Sequence, residues 1–157
     1  MIFKHLFKAS LSWIDKREEA KQPSSQIYRK SHRIAIEGKP DIQVSAAKAF
    51  KGDPSLHNPE DLLLSSLLSC HMMSYLYVCS QNNIEVVSYQ DTAEAILETT
   101  LDGGGRFVEA ILNPQVVISD PTKIELALSL HSKANQLCFI ANSCNFPIAH
   151  HPTCLSV

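Results

Sequence analysis

The sequence predicts an α+β domain, and three observations carry that prediction. A β-leaning first third ends at Asn58-Pro59, after which no Asp, Glu, Lys or Arg occurs between Leu62 and Ile84. Two β-leaning runs, Ile84 to Thr100 and Arg106 to Ser119, flank a glycine-rich turn at Leu101-Asp102-Gly103-Gly104-Gly105. A second helical pattern opens at Asp120-Pro121. Strands, a helix, a long hairpin and a second helix, in that order, fit a single α+β domain over residues 1–157.

Each element has a local reason. Phe7 to Ile14 reads as a strand, and the polar stretch Asp15 to Gln26 as a loop, with Pro23 and two serines near its end. Ile27 to Glu37 alternates in part, and Gly38-Lys39-Pro40 is a turn before Asp41 to Ala46, so these segments read as antiparallel strands. Asn58 suits a helix N-cap, Pro59 the first helical position, and Glu60 and Asp61 complement the helix dipole. The Asp-Gly-Gly-Gly turn closes a hairpin. Asp120 and Pro121 repeat the cap-then-proline signal, and that helix runs to about Cys138, with Ile124, Leu128, His131 and Asn135 on one side. Phe146 to Ala149 reads as a short last strand.

A charge-free helix of about 20 residues is roughly 30 Å long, which would allow a membrane span. Ser65, Ser66, Ser69, His71 and Ser74 dilute its hydrophobicity, so a buried helix is expected and no membrane partner. A chain of 157 residues has a limited interior. Enclosing this helix is easier if a second copy supplies half of the wrapping, which leads us to expect a homodimer.

The net charge of −2 is small, and the basic residues are scattered. Nucleic-acid partners are therefore not expected. Lys4, His5 and Lys8 interrupt the apolar N-terminal residues, so no signal-peptide core is read and a cytoplasmic location is expected. Five cysteines without framework spacing suit free or catalytic thiols in a reducing compartment better than structural bridges.

Cys70 lies near the middle of the charge-free helix, where a thiol is normally inert because burial raises its pKa. A functional Cys70 needs a cation from elsewhere. Arg29 and Arg33 are the nearest candidates in sequence, and Glu60 could hold such an arginine through a charge-assisted pair. Glu60 and Cys70 lie about 15 Å apart along a straight helix, which fits a site shared between subunits. Cys138, Cys144, His150, His151 and Cys154 cluster in sequence near the C-terminus. Their types would suit zinc, but their spacing lacks the paired C-x-x-C pattern, so no metal is expected. Cys79 and Cys154 read as a helix-end residue and a mobile tail residue.

The stretch F-K-G-D-P-S-L-H-N-P-E-D-L-L-L-S-S-L-L-S-C-H-M-M, Phe50 to Met73, resembles the OsmC/Ohr family of osmotically inducible and organic-hydroperoxide-resistance proteins. H-S-K-A-N-Q-L-C-F-I-A-N-S, His131 to Ser143, matches the second cysteine motif, and the resemblance is clearest over residues 27–152. It implies an OsmC-like intertwined homodimer, with antiparallel sheets packed around two long helices per chain. It also implies a cysteine-based peroxidase without cofactor, acting on organic hydroperoxides and recycled by an external thiol or dithiol. By that resemblance Cys70 is the peroxidatic cysteine and Cys138 the resolving one. Glu60 matches the glutamate that steadies a catalytic arginine, and Arg29, in Y-R-K-S-H, looks like that arginine, with Arg33 close by. Phe139 stands where proline is common in the family, and Cys144 is an additional thiol. A non-catalytic module of the same fold, binding a small apolar ligand or sensing redox state, is the alternative.

Overall fold

The structure is a computed structural model that describes residues 2–14 and 28–157. The loop expected over Asp15 to Gln26, and Ile27 of the following strand, lie outside the described residues. The chain forms two compact units, Met1–Leu62 and Leu63–Val157.

The first unit is built on a three-stranded antiparallel sheet of β1 (Ser10–Ser12), β2 (His32–Ala35) and β3 (Ile42–Val44). All three strands are shorter than the sequence runs suggest. Gly38, with φ of +75°, makes the turn between β2 and β3. Arg33 and Asp41 form an ion pair of 2.8 Å between them. The Trp13 indole donates to the Arg29 carbonyl at 2.7 Å, which joins the segments on either side of the undescribed residues.

Helix α1 (Pro59–Gln81) starts where the sequence marks it. The Asn58 side chain accepts from the Asp61 N–H at 2.8 Å, and the Asp61 carboxylate accepts from the Asn58 N–H at 3.3 Å, a reciprocal cap. The helix ends through Asn83, whose φ of 54° lets the chain turn back so that the Ile84 N–H bonds the Cys79 carbonyl. Among the described residues α1 is the helix long and apolar enough to cross a membrane, and one third of that stretch is buried within the chain. Within one chain, burial covers one face of this helix. Leu67, Cys70, His71, Tyr75, Val78 and Cys79 are buried, while Met73 and Tyr77 are 57% and 59% exposed.

The second unit corrects the reading of its two long β runs. Each run is two strands: β4 (Val86–Gln90) and β5 (Ala93–Thr99), then β6 (Gly105–Leu112) and β7 (Gln115–Ile118). The breaks fall opposite each other, at Asp91-Thr92 and Asn113-Pro114. There the Asn113 N–H bonds the Asp91 carboxylate and the Asn113 amide bonds the Thr92 carbonyl, while Pro114 has no N–H to continue a ladder. The hairpin thus bends into two sheets, ordered β5-β6-β8 and β4-β7-β9.

The last strands also depart from expectation. Phe146 to Ala149 becomes β8 (Ile148–His150), and β9 (Thr153–Ser156) holds Cys154 in a sheet where a mobile tail was expected. Both run parallel to their neighbours, β8 to β6 and β9 to β7. The expected antiparallel sheets are mixed because the chain returns to them through helix α2 (Ile124–Leu137), a crossover long enough to deliver parallel strands. Asp120 caps a short 3-10 turn that leads into α2, accepting from the Thr122 N–H. The buried stripe of α2 is Ala127, Leu130, His131 and Ala134, rotated from the one read in the sequence. It packs with Tyr75, Val78, Cys79, Val116 and Ile118 to form the core of the unit.

Candidate active site

Cys70 and Cys138 reach each other from different kinds of position. Cys70 projects from the fourth turn of α1. Cys138 terminates α2 in extended backbone, with its N–H bonded to the Asn135 carbonyl. The two are 9% and 1% exposed. Burial first, and then the hydrogen bond with Cys70, push the Cys138 thiol up to about 11. Burial and the neighbouring Cys70 thiol thus both favour the protonated form of Cys138. The Ala141 N–H, 3.4 Å from the Cys138 sulfur, acts in the opposite direction and favours its thiolate.

Beside this pair is an open cavity of about 390 Å³ lined by Cys70, Met73, Ser74, Tyr77, Leu137 and Phe139. Met73, Ser74 and Tyr77 follow Cys70 by three, four and seven residues, which places all four on one helical stripe. That spacing was visible in the sequence and would have identified these wall residues. Leu137 and Phe139 flank Cys138 on the other side. The walls are almost wholly apolar apart from Ser74, Tyr77 and the Cys70 thiol, so the cavity suits a ligand with an apolar body and one reactive polar end.

The other two candidate residues belong to the first unit. Glu60 is in the first turn of α1, and its Oε2 is buried with no hydrogen-bond partner among the described residues. A buried carboxylate oxygen without a partner is costly, and a guanidinium would satisfy it. Arg29 is exposed, tied down through its backbone carbonyl, and its side chain has no ion pair with any described residue. Arg33 is committed to Asp41. The sequence cluster near the C-terminus is dispersed: Cys138 faces Cys70, His150 lies against His71, and Cys154 packs on the core that holds Cys79. Among the described residues no group of three or more His, Cys, Asp or Glu is arranged to hold a metal ion.

A mixed α+β fold that sets a helix-borne thiol against a second thiol, beside an apolar cavity, defines a class of dithiol protein. The chain belongs to the OsmC-like protein family, whose model matches residues 52–151 and so spans both cysteines. An OsmC-like protein of unknown function from Vibrio cholerae is similar in structure, with a TM-score of 0.83 at 28% identity, over 95% of this chain and 99% of that one. An organic hydroperoxide resistance protein from Elizabethkingia anophelis matches over 100% of both chains with a TM-score of 0.68 at 19% identity. The organic hydroperoxide resistance protein OhrB of Bacillus subtilis matches at 0.63 and 17%, over 95% of this chain and 98% of that one. No curated protein matches this chain.

Proposed function

We propose that this protein is a thiol-dependent peroxidase that reduces organic hydroperoxides through Cys70, with Cys138 as the resolving thiol. The observation that carries the reading is the Cys70–Cys138 contact beside an apolar cavity. Structural likeness to organic hydroperoxide resistance proteins, within a shared family, supports it.

The Cys70 thiolate attacks the outer oxygen of the hydroperoxide. The O–O bond breaks, the alkoxide takes up a proton and leaves as alcohol, and Cys70 becomes a sulfenic acid. Cys138 then attacks that sulfur, water leaves, and a Cys70–Cys138 disulfide forms. An external thiol or dithiol returns both cysteines to the reduced state by exchange. The apolar walls favour a substrate with a hydrocarbon body, with hydrogen peroxide as a secondary substrate.

Arg29 is assigned the role of stabilising the Cys70 thiolate and orienting the peroxide, and Glu60 that of holding the arginine. The unpartnered Glu60 oxygen supports a guanidinium partner, and the Arg33–Asp41 pair favours Arg29 as its source. The reading includes a homodimer, supported by the apolar residues that α1 leaves exposed, Met73, Leu76 and Tyr77. Steady-state and single-turnover assays with an organic hydroperoxide test the chemistry. Cys70→Ser is expected to abolish reduction, and Cys138→Ser to permit one stoichiometric reduction and leave a sulfenic acid. Unchanged turnover in Cys70→Ser would rule the mechanism out.

A further inference from the structure

Behind the thiol pair, α1 and α2 are joined by a group of histidines to which the peroxidase chemistry assigns no role. His71 Nε2 lies 3.0 Å from His131 Nδ1, and both residues are almost completely buried. Their planes are inclined by 19° with centroids 5.3 Å apart, the separation of rings that meet edge to edge through one nitrogen each. His150 of β8 lies over His71, with centroids 4.1 Å apart, and Tyr75 stacks on His131 at 3.9 Å. The Tyr75 hydroxyl donates to the Ala127 carbonyl at 3.1 Å.

These contacts fall in antiparallel order along the two helices. Tyr75 meets Ala127, His71 meets His131, and Cys70 meets Cys138. The histidine bond is therefore the cross-helix hydrogen bond nearest the thiols. It is anchored one residue from Cys70 and about two helical turns before Cys138. Among the described residues, His71 Nδ1 and His131 Nε2 are buried without hydrogen-bond partners. The Nε2–Nδ1 bond is thus the single polar contact that fixes how these two rings meet, and it requires complementary tautomers, one N–H and one bare nitrogen.

We propose that His71 and His131 are positioning residues, whose mutual hydrogen bond sets the end of α2 so that Cys138 closes onto Cys70. The inference deepens the peroxidase reading and rests on it for its biological meaning, since closure onto Cys70 is the resolving step. A ring of similar shape without nitrogen would keep the packing on Tyr75 and lose the bond. Asparagine in place of His131 would return a hydrogen-bonding atom near the position of Nδ1.

The test measures closure without any peroxide, in a full-length chain whose Cys144 and Cys154 are both replaced by serine. A nitrobenzoate aromatic disulfide, ArS–SAr, reacts with the Cys70 thiolate to give Cys70–S–S–Ar and release one coloured ArS⁻. The Cys138 thiolate then attacks the Cys70 sulfur, forms the Cys70–Cys138 disulfide and releases the second ArS⁻. The ratio of second to first release rates is expected to fall about tenfold in His131→Phe, on the scale of one lost buried hydrogen bond. His131→Asn is expected to recover most of that loss. If His131→Phe does not fold, His71→Phe and its partial rescue by His71→Gln, which restores an atom near Nε2, provide the same comparison. An unchanged ratio in the phenylalanine variant would overturn the inference, as would equal losses in the phenylalanine and amide variants, because packing alone would then account for them. Histidine-dependent closure in a chain that consumes no hydroperoxide would support the positioning role and sink the peroxidase reading. Peroxide turnover with histidine-independent closure would do the reverse.

Discussion

The two thiols of the site are chemically unequal before any substrate arrives. Cys138 is buried beside Cys70 and its thiol is held up to about 11, so at neutral pH it is almost entirely S–H. That keeps the second thiol from competing as nucleophile and reserves it for the electrophilic sulfur of an oxidised Cys70. Its ionisation then governs the closing step. The rate of disulfide closure, followed by stopped-flow after oxidation of Cys70, is expected to rise about tenfold per pH unit through the neutral range. A pH-independent closing rate would show that ionisation of Cys138 is not limiting. The residues at this scale were partly legible in the sequence. Cys70, Cys138 and Glu60 stood out by motif, whereas His71 and His131 did not, because they are 60 positions apart and nothing local marks a contact between them.

Among the elements, α1 is the one whose sequence signals act most directly. Asn58, Pro59 and Asp61 close its N-terminus through two hydrogen bonds, and Asn83 terminates it in the left-handed region. Asn58→Ala removes the side-chain acceptor for the Asp61 N–H and is expected to cost about 1 kcal/mol, read as a lower urea midpoint with unchanged slope. The strands were less legible. Alternation identified the β runs but not their division, although Pro114 was a visible break in one of them. Strand β9 was missed because Thr153–Ser156 gains its pairing from β7, a distant partner that a short window cannot reveal. Helix α2 was placed at the right position, but its buried stripe is chosen by the sheet and helix it packs on, which places Ala127 and Ala134 inward.

At the scale of the whole molecule, stability carries a pH signature from the core histidines. Burial first, then the charges of His150 and His131, lower His71 to about 3. Burial first, then His150, lowers His131 to about 4, and burial first, then His151, lowers His150. All three therefore favour the neutral form in the folded chain, while the unfolded chain takes up protons near 6.5. Their contribution is complete above about pH 6.5 and is lost as pH falls toward 4, at up to about 1.4 kcal/mol per pH unit for each histidine that stays neutral. Urea unfolding followed by circular dichroism is expected to show a falling midpoint over that window, and a smaller fall in His150→Gln. A flat midpoint between pH 6.5 and 4 would remove the histidines from the account of stability. The apolar residues that α1 leaves exposed were foreshadowed by its charge-free sequence. Which of them are left uncovered depends on the packing of the second unit, and only the folded chain separates Met73 and Tyr77 from buried Leu67 and Tyr75.

The most direct test of the proposed chemistry is mass spectrometry of the native chain after a stoichiometric pulse of an organic hydroperoxide, digested under non-reducing conditions. The account predicts that the first cross-link formed joins the peptides of Cys70 and Cys138, with one alcohol produced per disulfide. An early cross-link through Cys79, Cys144 or Cys154, or persistence of both thiols beside unconsumed hydroperoxide, would contradict it.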